Sequence, residues 1–433
     1  MVWVISFIIA LQNAFASIAP LTEIQVQKDE SLLRVRLKES VPQLRVRGLD
    51  LKWYELSNAR DFKSQWKPLI KPVLQSEWKV SCHQSNVWIE PLFQTKDIVT
   101  KRKIAVPNTA MVYSSAGIVF FDGRPYRQEL RVYANGNKCE VINVISVEKY
   151  LDGLVNAEFS SKWDPRAVEA QVIAARTYAV YQAEFMRKNK NTHFDVDSTT
   201  KDQVYDGFFS EDYKASRAVS DTKGMVLVSK GTNAPIKAFY HSTCGGETEL
   251  PESVWGQHFQ GLRKKAKCPY CKSSPQFSWE SIMSVNDLEK LITLGVKRDG
   301  TPPSLRSLPI KEVLHKSKLI KIEPVFNLNS NRAQSIELYY QSEDSTRRVF
   351  QWRTTAAYFR KWIGPLKLKS TYFEAEAQGS LSHGVERFVF KGKGYGHGVG
   401  LCQWGAKVMG EKGFNHKQIL SHYYPDTKIR KIW

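Results

Sequence analysis

Glu158 closes the run LVNAE, and the stretch SSKWDPRAVEAQVIAARTYAV follows it. On a helix through this run, Leu151, Leu154, Val155 and Glu158 fall at i, i+3, i+4 and i+7 and share one face. The carboxyl group therefore continues an apolar stripe. Partial desolvation raises the pKa of such a group, and a carboxylic acid still protonated near neutral pH can act as a general acid. The same pattern also fits a boundary glutamate paired with a basic residue such as Arg176.

Other residue clusters invite chemistry. In HSTCGG, His241 and Ser242 leave a strand-like run at a Gly-Gly turn. This is not a G-x-S-x-G elbow, and no orienting acid can be named, so a serine nucleophile is disfavoured. GKGYGHGVG does not satisfy G-x-G-x-x-G and has no strand–loop–helix nucleotide unit around it. Its glycines permit tight turns or close approach of a ligand. Tyr178 and Tyr205 have the shape to stack on a ligand or simply to pack.

The cysteines are Cys82, Cys139, Cys244, Cys268, Cys271 and Cys402. His241, Cys244, Cys268 and Cys271 form H-x2-C followed by C-x2-C, a set able to hold tetrahedral zinc. A disulfide from Cys244 to Cys268 or Cys271 is the preferred reading, and free thiols are the third. No cofactor is expected, with zinc as the exception left open.

The elements that must position these residues change along the chain. Residues 21–145 read as β-rich, with alternating runs such as LLRVRL and ELRVYANGNKCEVINVI. Asn135-Gly136 between two such runs predicts a hairpin. Helices take over near 147. The first, started by Ser146 or a neighbour, is expected to reach about 158. The next is expected to begin with Asp164 as N-cap and Pro165 at N1, with Val168, Val172, Ala175 and Ala179 on one face. Strands return at MVLVS (225–229) and IKAFYHS (236–242), and a Gly-rich loop and one helix over roughly 402–424 close the chain. The fold class is α+β. The expected organisation is a leader over 1–16, a β-rich region over 17–119, and a mixed α/β core over 120–433 carrying an insertion or subdomain near 285–385.

Composition narrows the partner. Lys and Arg number 63 against 43 Asp and Glu, a net charge of +20, which calls for a polyanion: nucleic acid, anionic lipid or anionic cell-wall polymer. MVWVISFIIALQNAFA (1–16) has an apolar centre and ends in Ala14-Phe15-Ala16, the pattern of a secretory leader, although no Lys or Arg precedes the apolar run. Export demotes nucleic acid. It predicts a periplasmic or envelope location with no transmembrane anchor once the leader is removed.

Five segments in order resemble the sporulation stage II protein D family, which also includes amidase enhancers. They are VEKYLDGLVNAEFSSKWDPRAVEAQVIAARTYAV (147–180), DSTTKDQVYDG (197–207), HSTCGGETELPESVWG (241–256), CKSSPQFSWE (271–280) and GKGYGHGVGLCQWGAKVMGEKGFNHKQILSHYYPDTKI (392–429). The resemblance covers the core from about 120 onward, apart from most of 285–385.

It implies a peptidoglycan lytic transglycosylase that cuts between N-acetylmuramic acid and N-acetylglucosamine in peptide-denuded glycan strands and leaves a 1,6-anhydro end. Glu158 matches the family's catalytic acid. Attack by the sugar's own C6 hydroxyl needs no activated water, so one carboxylate suffices where ordinary glycoside hydrolysis uses two. The resemblance implies a cleft formed from 176–178, 203–207, 241–246 and 394–404. Arg176, Tyr178, Tyr205, His241, Ser242, Gly396, His397 and Gln403 are its candidate substrate contacts. Some relatives bind zinc beside the segment matching DSTTKDQVYDG. This chain keeps His193 but has Lys201 and Asp202 there, so that site is expected to be absent. The rival reading is a non-enzymatic, wall-binding enhancer of an N-acetylmuramoyl-L-alanine amidase.

Overall fold

Alternation in the N-terminal region translates directly into strands. Gln43–Gly48 buries Leu44 and Val46 and exposes the residues between them. The computed structural model describes residues 31–56, 66–69, 76–92, 103–188, 192–299, 316–327, 329–380 and 384–433. The leader expected over 1–16 lies outside them. Among the described residues, no helix is long and apolar enough to cross a membrane. The chain divides into two units. The first holds residues up to 162, 175–225 and 431–433, and the second holds 163–174 and 226–430.

The first unit is built on one sheet. Its strands are β1 (Leu32–Val41), β2 (Gln43–Gly48), β3 (Leu51–Leu56), β4 (Trp66–Pro68), β5 (Ser76–His83), β6 (Asn86–Pro91), β7 (Ile104–Pro107), β8 (Thr109–Phe121), β9 (Arg124–Asn135), β10 (Lys138–Ser146) and β11 (Val196–Asp197). The order is β11-β1-β10-β9-β8-β2-β5-β6-β7, and β3 pairs with β8 and β4. The expected hairpin is present: Asn135 faces Lys138 across a turn of Gly136 and Asn137. Position 119, the expected end of the β-rich region, lies inside β8, and the sheet continues through β9 and β10. A disulfide joins Cys82 on β5 to Cys139 on β10, with Cα atoms 5.3 Å apart. These strands are far apart in the sheet order, so the sheet must curl back on itself to bring them together.

Among the described residues the helices that follow are α1 (Val147–Asp152), α2 (Val155–Glu158), α3 (Pro165–Lys188), whose residues from 175 on belong to this unit, and α4 (Tyr213–Asp221). Ser146 caps α1 by accepting from the Lys149 amide, as expected. The single helix expected to reach 158 is instead two, broken at Gly153. A Cβ on Gly153 would sit 2.6 Å from the Gly207 carbonyl oxygen and 2.8 Å from the Tyr205 ring. Only glycine admits that approach, and the helix gives way to it. Asp164 and Pro165 start α3, where the Asp164 carboxylate accepts from the Arg166 amide, and Val168, Val172, Ala175 and Ala179 are buried.

The second unit contains β12 (Met225–Ser229), β13 (Tyr240–His241), α5 (Pro251–Trp255), β14 (Ser278–Ser284), α6 (Val285–Asp299), β15 (Ser317–Phe326), β16 (Ala333–Ser342) and β17 (Val349–Thr355). These are followed by α7 (Ala356–Ile363), β18 (Phe373–Ser380), β19 (Gly384–Lys393), β20 (Leu401–Cys402), α8 (Gln403–Glu411), α9 (His416–Tyr423) and β21 (Thr427–Lys431). β14-β19-β18 and β15-β16-β17 form two three-stranded sheets. Between Trp279 and Phe390 they share a hydrophobic core with α6 and α7, including Leu288, Ile336, Phe359, Trp362 and Phe388. Of 236–242, only Tyr240–His241 forms a ladder, in parallel with β20. The single closing helix becomes α8 and α9, because Asn415 and Gln418 build a capping box that starts a new helix.

Candidate active site and its surroundings

The apolar stripe leading to Glu158 is real even though its helix is broken. Leu151, Leu154 and Val155 are fully buried, and Glu158 is half-buried at the end of α2. The Val204 amide donates to Glu158 Oε1 at 2.5 Å. This bond is sequence-distant and brings a backbone donor to the carboxyl group. Beneath it, the buried Tyr150 hydroxyl donates to Gln203 Oε1 at 3.1 Å, and Gln203 Nε2 donates to the Ala175 carbonyl at 3.3 Å. Tyr178 donates to Asp202 Oδ1 at 2.8 Å. Burial, then the charges of Asp202 and Glu158, push the Tyr178 phenol well above its ordinary pKa. It stays a neutral donor.

Arg176 does not hold Glu158, and it is no substrate contact. It is fully buried and grips Glu148 with both arms, Nε to Oε1 at 3.0 Å and Nη2 to Oε2 at 2.7 Å. Its remaining donors reach Thr222 Oγ1 and the carbonyls of Val219 and Met225. Glu148 in turn accepts from the Gly224 amide and from Trp433 Nε1. Nothing at the arginine is left to meet a ligand. Tyr205 is likewise buried. Its hydroxyl donates to Asn143 Oδ1 at 2.9 Å, and its ring packs on Tyr150 and Tyr126. Tyr178 is also buried, so among the tyrosines packing prevails over stacking on a ligand. Gln203 and Val204 lie in the expected cleft segment 203–207 but carried no role there, and Tyr150 was not singled out.

In the second unit the segments 241–246 and 394–404 are brought together by backbone pairing. Tyr240 and His241 pair with Leu401 and Cys402, and Thr243 bridges to Tyr395. The glycines serve this contact. A Cβ on Gly396 would meet His241 Cβ at 2.9 Å, and one on Gly400 would meet the Phe239 carbonyl oxygen at 2.0 Å. His241 is buried, with Nδ1 3.1 Å from the Val399 carbonyl, which makes that nitrogen the donor. Burial and the Arg332 guanidinium push its pKa down to about 3. His397 is half-buried, and its Nδ1 accepts from the Val399 amide at 3.0 Å. Burial and then His241 hold it well below the ordinary histidine range. Both rings are thus neutral near pH 7. His397 packs against the partly exposed Trp255 at 5.0 Å between ring centroids. Ser242 is half-buried and its carbonyl accepts from the Trp404 amide, while Gln403 is buried.

The preferred disulfide from Cys244 to Cys268 or Cys271 does not form. Cys244 and Cys271 have sulfurs 3.5 Å apart, and none of Cys244, Cys268, Cys271 and Cys402 is in a disulfide. Nor does His241 complete the group. Cys402 does, carried there by the same β13–β20 pairing that turns His241 toward Val399.

A model of the family described as stage II sporulation protein matches residues 135–228, which include Glu158. An uncharacterized protein of Brachyspira hyodysenteriae is 31% identical over 344 residues, covering 78% of this chain and 82% of that protein. The stage II sporulation protein D of Bacillus amyloliquefaciens is 28% identical over 312 residues, 69% of this chain and 77% of its own length. The amidase enhancer of Bacillus subtilis is 28% identical over 304 residues, which are 64% of this chain but 40% of the enhancer.

Proposed function

Because this chain belongs to the stage II sporulation protein D family, we propose that it is a lytic transglycosylase of peptidoglycan, working in the periplasm or cell envelope with Glu158 as its one acid/base. The observation that carries this reading is the half-buried Glu158 carboxyl, continuing a buried apolar stripe and oriented by the Val204 amide. The glutamic acid gives its proton to the glycosidic oxygen as the bond to the N-acetylmuramic acid anomeric carbon breaks. The sugar's C6 hydroxyl then attacks that carbon, and the glutamate takes the hydroxyl proton. No water is consumed, and a 1,6-anhydro ring closes.

Hydrolysis would ask for a second carboxylate to activate water or attack the sugar. Asp202 is the acidic neighbour that, with Glu158, perturbs Tyr178. Its oxygens are committed: Oδ1 accepts from Tyr178 and Oδ2 from the Asp197 amide. It is suited to bracing the tyrosine. The surplus of 20 positive charges suits an anionic wall polymer.

The test is mass spectrometry of fragments from intact and amidase-denuded peptidoglycan, with Glu158→Gln as control. Anhydro-muramyl ends that depend on Glu158 are expected, more of them from denuded strands. Reducing ends would replace internal attack by hydrolysis. The similarity to a protein named amidase enhancer supports a second reading, in which this chain stimulates a wall amidase. Wild-type protein that cuts nothing yet raises amidase turnover would decide for that role.

A further inference from the structure

We propose that Cys244, Cys268, Cys271 and Cys402 form a structural zinc site of four thiolates, with no histidine ligand. The four sulfurs are buried and lie within 4.8 Å of one another. A single zinc with four arms of about 2.3 Å spaces its sulfurs about 3.8 Å apart. The 3.5 Å between the sulfurs of Cys244 and Cys271 is close to that edge, and well beyond the roughly 2.05 Å of a disulfide. Tetrahedral sulfur-only sites select zinc or iron–sulfur clusters. Sulfurs this close together enclose one ion, whereas a multi-iron cluster would spread them further.

The ligands come from three places that the fold has to bring together. Cys244 lies in the turn after β13. Cys268 and Cys271 flank a C-x2-C step at the short 3-10 turn Pro269–Ser273, which points two sulfurs the same way. Cys402 ends β20 and caps α8. The surroundings suit thiolates rather than apolar thiols. The Cys244 amide donates to Cys402 Sγ at 3.3 Å, and the Tyr423 hydroxyl lies 3.2 Å from Cys268 Sγ. Four thiolates on one dication leave a net negative charge. The buried Arg332 guanidinium sits beside them, donating to the Cys244 carbonyl at 2.7 Å. Zinc second shells are built from such contacts.

The site has a consequence for its neighbours. Cys244 follows His241-Ser242-Thr243 and Cys402 precedes Gln403. One ion therefore pins both motif-bearing segments of the second unit. It also accounts for two cysteine fates in one chain: conditions that oxidise Cys82 and Cys139 leave the other four reduced if a metal holds them.

The experiment measures metal content of the full-length protein, expressed and purified with zinc present and without added chelator. About one zinc per chain is expected, lost in Cys268→Ser and Cys402→Ser and kept in His241→Ala. Wild-type protein reconstituted with cobalt(II) provides a readout that does not depend on any variant folding: intense tetrahedral d–d bands with thiolate charge transfer are expected. Kept folded and without reductant, the chain should yield four alkylatable thiols only after chelation. Folded protein free of metal, with the four cysteines in disulfides or openly alkylated, would overturn the site. So would zinc that survives Cys402→Ser and is lost in His241→Ala.

Discussion

Glu148 and Glu158 stand on consecutive short helices of the same unit, and the structure treats them in opposite ways. Glu148 is buried and takes two bonds from Arg176, one from Gly224 and one from Trp433. Glu158 is half-exposed and is oriented by the Val204 amide. The first is a carboxylate whose charge is consumed in holding the fold. The second keeps access to solvent, as the acid of the proposed reaction requires. An ion pair near an acidic motif is thus poor evidence of a functional site. What separates the two glutamates is how far each is exposed.

Exchanging each carboxylate for its amide would break or sharpen this contrast. Glu158→Gln should lower glycan cleavage by about a thousandfold, the scale of a lost general acid. Its melting temperature should stay near that of wild type, and a large drop would make Glu158 a structural residue instead. Glu148→Gln should do the reverse: the buried Arg176 charge loses its partner, at a cost of about 3–5 kcal/mol in chemical denaturation. Activity per folded molecule should change little.

Gly153→Ala drives a methyl group against the Gly207 carbonyl and the Tyr205 ring. A loss of about 1–3 kcal/mol is expected, as for an overpacked core. Because that contact joins the helix break to the segment carrying Val204, this variant should also reduce activity per folded molecule, which Glu148→Gln should not. The smallest effect belongs to Tyr205→Phe. Removing the hydroxyl bound to Asn143 should cost about 1 kcal/mol and leave turnover and substrate affinity unaltered. A clear rise in KM there would restore Tyr205 as a sugar contact.

The cysteines repeat the lesson in different chemistry. Spacing offered H-x2-C with C-x2-C as a ligand set, yet the fourth sulfur arrives from Cys402 at the far end of the chain. Parallel pairing of β13 with β20 brings Cys402 in and turns His241 to Val399. No local pattern encodes that pairing. The disulfide is similar: Cys82 and Cys139 meet only because an eleven-stranded sheet curls round.

Local periodicity and cap chemistry determined much by themselves. They marked the alternating strands, the hairpin at Gly136, the start of α1 at Ser146, the start of α3 at Asp164-Pro165, and the apolar stripe that ends at Glu158. Each of these depends on neighbours a few residues away, so its physics is written in the order of the residues. Tertiary structure alone decided the break at Gly153, the partner of Arg176, the burial of Tyr205 and the identity of the fourth cysteine. Each depends on atoms brought close from distant parts of the chain, where a clash of a few tenths of an ångström or an unpaired buried charge outweighs any local preference.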